Sequence, residues 1–118
     1  MFDPEIFLEI AKALRKIKSI DLEGRLRTAI GRSYYSAFLI ALEKLRGKGI
    51  KFTDDSRVHA DVRDGLYKIK KSNIASKIES LFKMRVDADY KVRAKIDDGK
   101  YNSSIRLSEN IINLIDEI

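Results

Sequence analysis

The densest run of side chains able to do chemistry is Met84-Arg85-Val86-Asp87-Ala88-Asp89-Tyr90. Arg85 and Asp89 are four apart, so on a helix they share a face and can pair. Ala88 and the apolar residues before it turn that face toward the core or an interface. A partly buried guanidinium there needs acceptors, and Asp89 is the nearest. Tyr90 lies one step round and offers a phenol to the same groove. Upstream, Arg25 and Arg32 are seven apart and share a face, Tyr35 follows three beyond Arg32, and Arg15, Lys16, Lys18 and Arg27 add positive charge. Guanidinium groups beside phenols form a surface that can hold a phosphate and stack a base. The plainer reading of Arg85 and Asp89 is an ordinary salt bridge, and the spacing alone leaves both open.

His59 is the only histidine. Without cysteines it cannot build a common zinc site, and no metal or cofactor is expected. Its ordinary pKa of about 6.5 would suit a general base, and a place near a helix N-terminus favours the neutral form. The competing role is a histidine that merely packs or caps. Gly47-Lys48-Gly49 is too short for a phosphate-binding loop and lacks the Lys-Ser/Thr that follows one. Asp54-Asp55 and Asp97-Asp98 lack the spaced oxygen donors of a calcium loop and read as turns and caps. The serines form no recognisable Ser–His–Asp arrangement.

The elements that must position these residues are helical. Asp3-Pro4 opens a first helix running to about Lys18, with Ile6, Ile10, Leu14 and Ile17 as its buried stripe. Asp21 caps a second, from about Leu22 to Arg46, where Ala29, Ser33, Ala37 and Ala41 form a ridge of small side chains suited to close helix packing. Leu26, Ile30, Tyr34, Phe38, Leu42 and Leu45 add bulk beside that ridge, and Gly31, costly in a helix interior, points to a close contact. A third helix spans roughly Arg57 to Lys70, capped by Asp55 or Ser56. A fourth, capped by Ser72 or Asn73, continues to about Arg93. Asp97-Asp98-Gly99 is a turn signal, and a last helix starts near Asn102. The expectation is an all-α, five-helix bundle forming a single domain over residues 1–118.

Composition sets outer limits. The chain has 118 residues, no cysteine, one proline and a formal net charge of +6. The basic excess raises the prospect of an anionic partner without choosing among RNA, nucleotide and acidic protein. The opening MFDPEIFLEI carries acids inside its apolar run, unlike a signal peptide. No segment approaches the roughly 20 apolar residues needed to cross a bilayer. Together with the missing cysteines, these features lead to an expectation of a cytoplasmic protein without a membrane partner.

Three motifs then occur in order: Arg32-Ser33-Tyr34-Tyr35-Ser36-Ala37-Phe38, Ser56-Arg57-Val58-His59, and Arg85-Val86-Asp87-Ala88-Asp89-Tyr90. Together they resemble the small stand-alone prokaryotic HEPN proteins whose fourth helix carries Arg-x-x-Ala-Asp-Tyr, over roughly residues 4–118. The resemblance implies an up-and-down bundle that forms homodimers with the active groove at their interface. It further implies either a metal-independent ribonuclease, often the toxin paired with a minimal nucleotidyltransferase antitoxin, or a non-catalytic binding domain. The ribonuclease branch uses an Arg followed, after four to six residues, by a His. Arg85 matches the Arg, whereas positions 90 to 92 are Tyr, Lys and Val. A phenol, with an ordinary pKa near 10, is a poor base at neutral pH.

The reading that follows is the HEPN part of a toxin–antitoxin-like module with a nucleotidyltransferase, binding or cleaving RNA. In it Arg85, Tyr90 and His59 are the catalytic candidates, and Arg32, Tyr35 and Asp89 are the ligand-binding ones. The alternative is a homodimeric nucleotide-binding or protein-interaction domain without catalysis.

Overall fold

A computed structural model describes all residues from Met1 to Ile118. It contains five α-helices and no strand: α1 Glu5–Leu14, α2 Leu22–Gly47, α3 Val58–Lys68, α4 Ser72–Tyr90 and α5 Asp98–Asp116. The long α2 is the axis of the bundle and packs against all four others. Its small ridge explains how. Ala29, Ser33, Ala37 and Ala41 are all fully buried, so neighbouring helices approach the α2 backbone closely. The buried hydroxyls are all satisfied: Ser33 donates to Ile30 O at 2.8 Å, Ser36 to Pro4 O at 2.8 Å and Ser108 to Ser33 O at 2.7 Å. The last two tie α1 and α5 to α2 at little cost in buried polarity. The bulky set from Leu26 to Leu45 is buried as its spacing implies, as are Val62, Leu66, Ile74, Ile78, Leu81 and the α5 isoleucines.

The helix ends depart from expectation in instructive ways. Asp21 caps α2 as foreseen, accepting from Gly24 N at 2.9 Å. Asp3 accepts from Glu5 N at 3.0 Å, whereas α3 is capped by neither Asp55 nor Ser56: its N-cap is Arg57, which makes no side-chain cap bond, and Asp55 accepts from Arg57 N at 2.9 Å ahead of the helix. Ser72 does not cap α4 and is already its first helical residue, behind an N-cap Lys71 that makes no side-chain bond. The chain enters α4 directly from a Schellman turn that closes α3. Lys71 N bonds Leu66 O at 2.8 Å, Lys70 N bonds Tyr67 O at 3.0 Å, and Lys70 adopts φ 62°. The same motif closes α2, with Gly49 at φ 89° and Ile50 N bonding Leu45 O at 3.1 Å. Asp97-Asp98-Gly99 is a helix start rather than a free turn, since Asp97 accepts from Lys100 N at 3.0 Å and α5 begins at Asp98.

Two arginines of α2 explain why α1 and α4 stop early. Arg25, only 9% exposed, donates to the carbonyls of Leu14 (3.1 Å), Arg15 (2.9 Å) and Ile20 (2.8 Å). It thereby replaces the next helical turn of α1. Arg27 reaches Ala88 O (3.0 Å), Lys91 O (3.1 Å) and Ala94 O (2.8 Å), with longer contacts to Asp87 O and Val92 O. It fastens the end of α4 and the loop after it. The orphan carbonyls of both helix ends are thus met by cations, which also suit the negative end of a helix dipole.

The apolar stripe expected on α1 is corrected. Ile6, Ile10 and Ile17 are 39%, 42% and 37% exposed, while Leu8 and Ala11 are buried. The helix carries apolar residues on two sides, and only the Leu8–Ala11 side meets α2 and α5.

Candidate functional site

The candidate residues come from three helices and meet on one side of the bundle. On α4, Arg85 Nε donates to Asp89 Oδ2 at 2.9 Å and Nη2 lies 3.4 Å from the Tyr90 hydroxyl. The pair is partly shielded, with side-chain exposures of 14% for Arg85 and 33% for Asp89. Burial works against the Arg85 charge, but Tyr35, Asp89 and Tyr90 outweigh it and raise its pKa above the ordinary value. Gly31 on α2 explains why Asp89 fits. A Cβ there would stand 3.4 Å from Asp89 Oδ1, so the carboxylate lies nearly against the α2 backbone.

Tyr35 of α2 joins the two arginines. Arg32 lies 5.1 Å and Arg85 5.2 Å from its ring centroid, and Arg32 also sits 4.9 Å from the ring of Phe7 on α1. Arg85 is 5.3 Å from the ring of Tyr90, which is 68% exposed. Each contact favours the cation through the negative face of the ring. Arg32 makes no hydrogen bond or ion pair within the chain, so its five N–H donors face solvent or a ligand.

His59, near the start of α3, reaches the same cluster from the other side. Its Nδ1 lies 2.7 Å from the hydroxyl of Tyr34, and its ring stacks on Phe38 at 4.6 Å and stands edge-on to Tyr35 at 6.1 Å. Burial, then the charges of Arg85 and Arg63, lower its pKa below 6.5, so at neutral pH the imidazole is uncharged. Burial drives the Tyr34 phenol well above its ordinary value, leaving it a permanent O–H donor. Tyr34 has no partner except His59. The tautomer with Nδ1 accepting and Nε2 carrying the proton therefore satisfies it. The other tautomer leaves a buried hydroxyl without an acceptor, at about 1–3 kcal/mol.

Two participants carry only weak signals in the sequence. Tyr34 falls on a packing position of α2, and the one sign of Arg63 is its spacing of four from His59, which puts both on one face of α3. Arg63 lies 5.3 Å from the ring of Phe82, and its Nη1 is buried without a hydrogen-bond partner. Conversely, three of the supporting cations belong elsewhere. Arg25 is consumed by backbone carbonyls, Arg27 by backbone carbonyls and by Glu23 at 2.9 Å, and Arg15 is paired with Asp98 at 2.7 Å. No group of His, Cys, Asp and Glu is arranged to hold a metal ion, and no helix is long and apolar enough to cross a membrane.

The fold and this cluster define a class: a five-helix bundle whose second, third and fourth helices converge on an arginine–phenol surface. The HEPN domain model matches residues 5–118, and the chain belongs to the HEPN family. It is 34% identical over 115 residues to an uncharacterized protein of Methanocaldococcus jannaschii, an alignment covering 97% of this chain and 56% of that protein. The chain thus spans about half the length of the curated relative it matches. No solved structure matches it.

Proposed function

We propose that this chain binds RNA on the surface formed by Arg32, Tyr35, Arg85 and Tyr90, as the HEPN member of a toxin–antitoxin-like module with a nucleotidyltransferase. The observation that carries the binding reading is the Tyr35 ring within cation–π range of both Arg32 and Arg85, with the Arg32 donors free. A phosphate can be held by the guanidiniums while a base stacks on an exposed phenol. Asp89 orients Arg85, and the basic excess of the chain adds a salt-dependent attraction. Family membership is what supports the module.

The geometry weighs binding above cleavage. Cleavage without a metal needs a base to take the 2′-hydroxyl proton as that oxygen attacks the phosphorus and the 5′-oxygen leaves. His59 is neutral, as a base must be, but the favoured tautomer presents Nε2 as a donor rather than a lone pair. In that form it can hydrogen-bond a phosphate oxygen and cannot accept the proton.

The test incubates purified protein with total RNA in EDTA, beside Arg85→Ala. Retention of intact RNA by the wild type, lost in the folded variant, is the expected result. Cleavage that His59→Ala abolishes would overturn the binding-only assignment. Failure of the folded wild type to retain or cut RNA would overturn both.

A further inference from the structure

Arg63 is half-buried beside the candidate surface and has no part in it so far. Its Nη1 is enclosed without a hydrogen-bond partner, and the rest of its guanidinium makes no hydrogen bond or ion pair within the chain. Keeping a guanidinium donor out of water without an acceptor lowers stability. A side chain needed only to cover Phe82 would do so better if it were apolar. The orphaned donor points to an acceptor that the chain does not supply. A path of rings joins it to the arginine–phenol surface. The Arg63 guanidinium lies 5.3 Å from the Phe82 ring, Phe82 lies 5.5 Å from His59, and His59 lies 6.1 Å from Tyr35. Tyr35 is the ring that Arg32 and Arg85 share. Local spacing builds the path, with His59 and Arg63 four apart on α3 and Phe82 and Arg85 three apart on α4.

We propose that the binding surface continues from Tyr35 across His59 to Arg63, and that Arg63 holds a second phosphate of the same strand. On the RNA reading, which this site presupposes, Arg32 and Arg85 take one phosphate at the Tyr35 end and Arg63 takes another at the Phe82 end. Three arginines stand along the path against a single acid, Asp89, which is bound to Arg85. Positive charge is therefore left uncompensated at both ends. Beyond its burial, the imidazole feels the charges of Arg85 and Arg63, which keep it neutral. In the tautomer that satisfies Tyr34, its Nε2–H adds an uncharged donor for a phosphate oxygen. Cations set apart along a row of rings suit a single strand, whose charges recur at intervals with bases between them. A mononucleotide monophosphate can reach only one end.

The test titrates the protein in EDTA with a short oligoadenylate and, separately, with ATP, whose phosphates are joined without bases between them. Arg63→Met keeps the reach over Phe82 and removes the charge; Arg63→Lys keeps a charge. Arg63→Met is expected to weaken oligoadenylate binding about tenfold and to lower the slope of log affinity against log salt by about 0.7, one phosphate's share. Arg63→Lys should recover most of that slope. The urea midpoint of Arg63→Met should equal or exceed that of the wild type, because an unsatisfied donor is gone; a purely structural arginine would give the reverse, lower stability with binding unchanged. Oligoadenylate binding indifferent to Arg63→Met would overturn the second phosphate position and leave the RNA reading standing. ATP binding as tight as that of the oligoadenylate would overturn the strand assignment. A folded wild type that binds no oligoadenylate would overturn the site and the RNA reading together. Should Arg63→Met not fold, Arg63→Gln carries the same comparison.

Discussion

Arg25 and Arg27 end on backbone carbonyls, whereas Arg32 and Arg85 end on aromatic rings, and all but Arg85 lie within eight residues on one helix. Arg25 spends its donors on the carbonyls of Leu14, Arg15 and Ile20, and Arg27 spends its own on the Glu23 carboxylate and on carbonyls at the end of α4. Removing either leaves partly buried carbonyls short of a donor. The second two keep donors in reserve: Arg32 makes no hydrogen bond, and Arg85 uses one carboxylate and one phenol. The same residue type thus serves as an internal fastener where carbonyls surround it. Where rings surround it, the positive charge is held in place and left unspent.

That contrast can be broken most forcefully at Arg27. Arg27→Ala strands the carbonyls at the end of α4, and we expect a loss of about 3 kcal/mol in stability by urea denaturation. A change within a few tenths would show that water replaces the guanidinium freely and that the clamp is incidental. Next in size is Tyr35→Leu, which keeps bulk beside Phe38 and removes the stacking face. RNA affinity should fall by about 1–3 kcal/mol with folding intact, and unchanged affinity would move the binding surface elsewhere. Arg32→Gln should lower stability by at most about 1 kcal/mol, since only its two ring contacts are lost and no hydrogen bond or ion pair is. It should reduce the slope of log affinity against log salt by about 0.7 for single-stranded RNA.

The smallest effect is a titration. His59 has a folded pKa below its unfolded value of about 6.5, so the unfolded chain binds the extra proton first. The stability this contributes is fully present above pH 6.5 and is lost as pH falls through 6.5 toward the folded pKa. His59→Gln should flatten that part of the stability curve relative to wild type. Parallel curves would mean that His59 titrates normally in the fold.

Much of this was legible in the sequence because helices repeat locally. The number of helices, the α2 ridge and the Arg85–Asp89 pair all follow from spacings of three and four. What was not legible depends on groups distant in sequence that carry no side-chain signature. The acceptors of Arg27 are carbonyls some 60 positions downstream, and a carbonyl belongs to every residue. Arg25 and Arg27 therefore looked like further surface charge. On α1 the periodicity was real, but two apolar rows satisfied it. Only the packing of α2 and α5 chose Leu8 and Ala11 over Ile6 and Ile10. The role of Tyr34 was hidden because a phenol in a core position packs equally well with or without a partner for its hydroxyl.

The neighbours of Arg85 have an optical consequence. The chain contains no tryptophan and five tyrosines, so its ultraviolet emission is that of phenols alone. Tyr35 and Tyr90 both border Arg85, while Tyr34 donates to an imidazole, an arrangement that quenches a phenol in its excited state. A nucleobase settling on Tyr35 or Tyr90 would dim a large share of the remaining light. Occupancy of the surface can thus be followed in the unlabelled protein as a loss of tyrosine fluorescence.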